Sequence, residues 1–204
     1  MIYSYAIEPE LVATWGNKAD YRYFCDKFGL GQPRMMVEFP KLKNWRRQVL
    51  QSAMGSGDQE MQKVTALIGI LTERMISCTP KDEYDGTRSW LENAEEEHGN
   101  APFQAILACS NPRGISFVIP PDSVGVPGDG RWFVSDQAPP DHTHTSLRNH
   151  LQGLLSNCSE IVFVDPHFGP ENPRHRRPLQ AFLCALLTNR RTPLTRIEVK
   201  TGTK

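Results

Sequence analysis

The feature that most constrains the fold lies near the C-terminus. Residues 160–187 read EIVFVDPHFGPENPRHRRPLQAFLCALL, and TRIEVK follows at 195–200. The run IVFV is short, β-branched and aromatic, and it is closed by Asp165-Pro166. PLQAFLCALL has the length and composition of an amphipathic helix, and RIEVK is again strand-like. The spacing predicts strands over 160–164 and 195–200, a loop over 165–176 and a helix over 177–189. A strand, a helix and a strand in that order make a parallel pair with a right-handed crossover.

Upstream the periodicity is helical. KADYRYFCDKF predicts a helix over 18–28, ended by Gly29 and Gly31. Its Tyr21, Tyr23, Phe24 and Phe28 lie beside Lys18, Arg22 and Lys27, a pattern that suits core packing and, secondarily, base stacking. A second helix is expected over 40–54, between Pro40 and Gly55. Leu42, Trp45, Val49 and Leu50 fall at helical spacing there, with Lys41, Lys43, Arg46 and Arg47 between them. Asp58 is placed to cap the next helix, whose buried face is Met61, Val64, Leu67, Ile68, Leu71 and Met75. A further helix runs from near Thr87 to Gly99, with Glu95, Glu96 and Glu97 as a solvated face.

Beyond Pro102 the character changes. FQAILAC and GISFVIP, separated by SNPRG, predict a β-hairpin, and RWFVS predicts another strand. A helix is expected near 144–156. The whole reads as an α/β or α+β protein. A mainly helical region over 1–100 leads into a mixed sheet over 101–204 that ends in the βαβ unit at 160–200, as one continuous domain.

Charge narrows the function. The 204 residues carry 23 Lys and Arg against 23 Asp and Glu, so no global field recruits a polyanion, and any such site must be a local patch. No run approaches the ~20 apolar residues of a membrane span. The N-terminal MIYSYAIEPEL lacks the basic and apolar regions of a signal peptide. A cytoplasmic protein without a membrane partner is expected. The five cysteines form no Cys-x-x-Cys pair and are read as reduced thiols that mostly fill the core.

The βαβ unit places Asp165 and His167 at the carboxyl end of a strand, where open α/β sheets hold ligands. Arg174, Arg176 and Arg177 stand at the start of the following helix, whose first amides suit an anion. The pattern fits a phosphate site. It also fits a plain turn, with Asp165 capping it and the arginines solvated. A restriction-type nuclease is a second reading, in which Asp165 and Glu198 hold Mg²⁺ and Lys200 steadies the attacking water or the phosphate. Magnesium is the one cofactor this implies. The phosphate-cradling pattern G-x-x-x-x-G-K-[ST] and the serine elbow G-x-S-x-G do not occur. His142 and His144 are read as part of a polar loop and not as metal ligands.

IVFVDPHF, PLQAFLCALL and RIEVK resemble the opening βαβ unit of phospholipase-D-like proteins, a superfamily of nucleases, phosphotransferases and lipases. WLENAEEEHGNAPFQAILA also resembles bacterial proteins of this group found in mobile-element or defence gene neighbourhoods. The resemblance spans residues 85–204 and implies phosphodiester chemistry or binding. The family's signature is His-x-Lys, with the histidine as nucleophile and the lysine neutralising the phosphate. This chain has no His-x-Lys, so no catalytic residue carries over, and Asp165 supports a site by position alone. In the family the signature would follow RIEVK. The expectation is therefore a truncated form, a piece of a split protein, or the fold without the activity. The expected function is binding of nucleic-acid phosphates, within an antiviral defence or mobile-element system. The alternative to both binding and nuclease activity is a non-catalytic subunit of a nucleoprotein complex, with a protein partner or a second copy of itself.

Overall fold

The computed structural model describes residues 2–78, 84–133, 143–169, 171–187, 190 and 192–202. It is an α/β protein whose chain forms two compact units, Ile2–Asp136 and Gln137–Lys204.

The first unit is built on β1 (Tyr3–Ile7), an aromatic and β-branched run buried along almost its whole length. A strand covered on both faces suits the middle of a parallel sheet. β2 (Arg34–Met36), β3 (Ala105–Leu107) and β4 (Val118–Ile119) complete it in the order β2-β1-β3-β4, with every pair parallel. Between β1 and β2 come α1 (Pro9–Thr14) and α2 (Lys18–Phe28). Between β2 and β3 come α3 (Leu42–Ser52), α4 (Asp58–Glu73) and α5 (Trp90–Asn100).

Pleating sends alternate residues to opposite faces. Tyr5, Ile7, Met36, Leu107 and Ile119 meet Val12, Trp45, Val49, Leu67 and Leu71 in the larger core. Ala6, Val37, Ile106 and Val118 meet Trp90, Leu91 and Ala94 of α5 in the smaller one. The Trp45 Nε1–H donates to the Ile7 carbonyl at 2.7 Å, which ties α3 to the end of β1. Ser89 and Glu92 form a reciprocal capping box at the start of α5. The cap of α4 is Gly57; Asp58 stands one residue inside, where its charge faces the positive end of the helix.

The expected hairpin of β3 and β4 is a parallel pair, with Ile106 opposite Val118 and Leu107 opposite Ile119. SNPRG is no hairpin turn. Asn111 instead organises residues 108–117, donating to the carbonyls of Ile115 and Val118 and accepting from the Ile115 amide. Trp132, expected in a strand, lies in a turn after Asp129 and is fully buried against Tyr5 and Phe28. The aromatic stripe of α2 is packing: Phe24 stacks on Trp15 with centroids 3.5 Å apart, and Phe28 sits edge-on to Tyr5. Glu97, expected on a solvated face, is buried, and Glu95 and Glu96 pair with Arg113 and Arg88. Cys25, Cys78 and Cys158 are half-buried and pack against the cores, whereas Cys109 and Cys184 are exposed.

The second unit contains α6 (His144–Asn157), β5 (Glu160–Asp165), α7 (Pro173–Leu187) and β6 (Arg196–Thr201). β5 and β6 are parallel neighbours, as the sequence predicts, from Glu160 opposite Arg196 to Asp165 opposite Thr201. Leu155, Ala185 and Leu186 form their core with Ile161, Phe163 and Phe182. Arg190 fastens the helix ends: it donates to the carbonyls of Leu155 and Leu186 at 2.7 and 2.9 Å, and to that of Cys158. A cation at helix C-termini is favourably placed.

All four tryptophans, Trp15, Trp45, Trp90 and Trp132, belong to the first unit, so tryptophan emission reports its unfolding alone. Leu67→Ala, at a fully buried site on α4, is expected to cost about 2–5 kcal/mol in urea unfolding followed this way. Leu30→Ala, at a residue 81% exposed, is expected to stay within about 0.5 kcal/mol. Equal effects of the two would contradict the core described above.

Candidate phosphate-binding site

The loop after β5 is built from local hydrogen bonds. Asp165 Oδ1 accepts from the His167 amide at 2.9 Å, and the Asp165 carbonyl accepts from the Phe168 amide at 3.2 Å. Asp165 therefore closes the turn, as a short carboxylate does two residues ahead of an amide. The His167 side chain is exposed. The Gly169 amide donates to His175 Nδ1 at 2.9 Å, and the His175 ring lies nearly parallel to that of Phe168. On the other strand, a Cβ at Gly202 would lie 2.6 Å from the Pro166 carbonyl oxygen, so the two strand ends approach backbone to backbone.

The helix begins earlier than predicted. Asn172 Oδ1 accepts from the Arg174 amide at 2.9 Å, and the Asn172 carbonyl accepts from the amides of His175 and Arg176. Pro173 takes the first helical position, where its missing N–H costs nothing. Pro178 is inside the helix. The first turn's donors are thus in use, and an anion would meet side chains there rather than bare amides. Arg174, Arg176 and Arg177 are all exposed. Successive helical residues turn by about 100°, so the three guanidiniums spread over an arc of about 160°. Among the described residues none of the three pairs with a carboxylate.

The residues of the magnesium reading do not come together. Asp165 pairs with Thr201, whereas Glu198 pairs with Val162 and Lys200 with Val164. Alternation puts Asp165 on the face that carries Phe163, and Glu198 and Lys200 on the opposite face. There Glu198 is held by Arg196 at 2.5 Å and lies 3.6 Å from Lys200. Among the described residues no three His, Cys, Asp or Glu side chains are arranged to hold a metal ion. The donor set does not fit magnesium. His142 lies outside the described residues, and so does the His144 side chain.

The first unit has a ligand-type position of its own. The chain leaves β1 toward β2 on one side and leaves β3 toward β4 on the other, so their carboxyl ends flank the switch point of the sheet. Glu8 and Cys109 stand there. The Cys109 amide donates to Glu8 Oε2 at 2.5 Å, and the Glu8 amide donates to the Leu107 carbonyl at 2.9 Å. Although Cys109 reaches solvent, burial of its sulfur, then the Glu8 carboxylate and more weakly Glu10, push its thiol up to about 12. Nearby, burial raises the Tyr84 hydroxyl; a hydrogen bond from Gln48 opposes this and Glu10 adds to it. This crevice is anionic and holds its thiol protonated, so it suits neither a phosphate nor a thiolate nucleophile.

No protein-family model, no curated protein and no solved structure matches the chain.

At mildly alkaline pH, Cys109 is expected to alkylate more slowly with iodoacetamide than an unhindered peptide cysteine, despite its exposure. Glu8→Gln is expected to speed it, because removing a neighbouring carboxylate eases formation of the thiolate. Peptide mass spectrometry after timed labelling reads both. A parent rate equal to that of the free peptide would contradict the environment described.

Proposed function

We propose that this chain binds nucleic-acid phosphates through the start of α7, as a phospholipase-D-like protein in an antiviral defence or mobile-element system. The observation that carries the binding part is the set of three exposed guanidiniums, Arg174, Arg176 and Arg177, with no carboxylate partner among the described residues. Guanidinium forks match phosphate oxygens. In a chain of zero net charge, such a patch is where local polyanion affinity arises. His167, exposed in the loop that leads into α7, would stand at its edge. The phospholipase-D-like part and the defence context rest on the resemblance of IVFVDPHF, PLQAFLCALL and RIEVK, and the parallel strand–helix–strand connection agrees with it. Many α/β folds share that connection, so it supports the topology alone.

A second reading, the non-catalytic assembly subunit, is favoured by the outer face of the two-stranded sheet. Val162 and Val164 are 43% and 71% exposed there. Apolar side chains at that exposure on a strand suit a protein partner.

Arg176→Ala with Arg177→Ala is expected to weaken binding of DNA and RNA oligonucleotides of any sequence. The log–log salt slope is expected to shrink by about 1–2 units. Folding stability is expected to change by less than about 0.5 kcal/mol. A folded double variant with unchanged affinity and slope would leave the arginines as a solvated surface and favour the assembly subunit.

A further inference from the structure

We propose that the outward face of α3 is a docking surface for the sugar–phosphate backbone of a nucleic acid. It would be carried by the first unit and use none of the α7 arginines. The inference extends the reading of the chain as a nucleic-acid binder, yet it stands on separate residues.

The helix LKNWRRQVLQS contains no acidic residue, and Lys41 precedes it. Its apolar face is already occupied: Trp45 is 2% exposed and Val49 fully buried in the core. What remains outside is cationic. Lys41, Lys43, Arg46 and Arg47 are all exposed. Among the described residues Lys41, Lys43 and Arg47 make no side-chain hydrogen bond or ion pair, and Arg46 reaches only the neutral Thr72 hydroxyl at 2.8 Å.

Elsewhere in the same unit several cations are matched, whereas the exposed Lys18 and Arg22 of α2 have no carboxylate partner among the described residues. Lys27 pairs with Asp26, Arg88 with Glu96, Arg113 with Glu92 and Glu95, and Arg131 with Asp129. The α3 face is thus a run of unneutralised charge, and the complement it lacks is a row of anions.

The apolar neighbours decide which polyanion fits. Lys43, Arg47, Leu50 and Met54 follow one another at helical spacing along a shallow groove of about 600 Å³. Leu50 is 38% and Met54 75% exposed. Cations followed by a short apolar ledge suit a strand of nucleic acid, with its phosphates on the guanidiniums and a sugar or base edge on the ledge. A membrane surface fits less well. An interfacial helix sinks its own apolar face into the lipid, and here Trp45 and Val49 hold that face in the core.

Lys43→Ala with Arg47→Ala tests this on the full chain, because neither side chain holds the described structure together. Binding of labelled single-stranded and duplex oligonucleotides is followed by anisotropy across a salt series. Vesicles containing phosphatidylserine are tested by sedimentation. Unchanged tryptophan emission, from Trp45 above all, reports that α3 is intact. Arg47→Gln repeats the experiment with a smaller expected change should the double variant fail to fold.

The expected result is weaker binding at every sequence, with a salt slope reduced by about 1–2 units. The same loss in a protein already carrying Arg176→Ala and Arg177→Ala also supports the α3 face. If the α3 variant binds as the parent does while the α7 variant is weakened, this inference is overturned and the α7 reading stands. If the α3 variant is weakened and the α7 variant is not, this inference stands and the α7 reading fails. If the parent binds no oligonucleotide, both fail, and sedimentation with vesicles lost on Lys43→Ala/Arg47→Ala would assign the face to lipid instead.

Discussion

Parallel pairing is the constraint on which the rest depends. Every strand ladder among the described residues is parallel. A parallel partner cannot be reached by a tight turn, so the chain must cross over between paired strands. The crossovers are α1 with α2, the long path through α3, α4 and α5, and α7. They cover both faces of β1 in the first unit and one face of β5 in the second. The Trp45 indole bound to the Ile7 carbonyl shows how tightly a crossover helix is tied to the strand it covers. One crossover has no helix: residues 108–117 rely on the hydrogen bonds of Asn111 instead. Because all strands of a sheet run the same way, their carboxyl ends gather on one edge, and loops such as 165–169 begin there.

Charge is distributed against the helices' own interest at two places. α1, α2, α4 and α5 each carry an acidic residue in the first turn, where the helix dipole favours it. α3 and α7 carry none. Lys43 and Arg174 stand in those first turns instead, where a cation opposes the dipole. Such an arrangement contributes nothing to the fold. An external anion relieves it, which is the physical link between the sequence of these helices and the binding proposed for them.

How much of this was legible in the sequence depended on length and period. α2, α3, α4 and α5 were readable because Phe24 and Phe28, Trp45 and Val49, Val64 and Leu71, and Trp90 and Ala94 recur at helical spacing. The β5–α7–β6 unit was readable for a similar reason. β2, β3 and β4 have only two or three residues, too few to show a period, so Arg34–Met36 went unread and Val118–Ile119 invited a hairpin. The start of α7 was placed late because Pro178 reads as a helix opener, whereas Asn172 and Pro173 are the cap and first residue. Of the candidate site, the arginines were visible as a charge run. That Asp165 and Glu198 point to opposite faces follows from register, which no single strand reveals. Glu8, Cys109 and Arg190 were missed, since each acts through a backbone group far away in sequence.

The switch point explains why phosphate recognition would sit on helix faces and not in the crevice that parallel sheets usually offer. In phosphate-binding α/β folds, a glycine-rich turn leaves backbone amides free at that crevice and the following helix points its positive end there. Here the turn after β1 is Glu8-Pro9-Glu10. Pro9 supplies no amide, the Glu8 amide is bound to Leu107, and the Cys109 amide is bound to the Glu8 carboxylate. Two carboxylates and a thiol held protonated by its surroundings then face whatever approaches. A phosphate would meet repulsion there, and the amides of Glu8 and Cys109 are already engaged. Cations carried on flexible stems face no such conflict, and α3 and α7 each carry several without a carboxylate partner among the described residues.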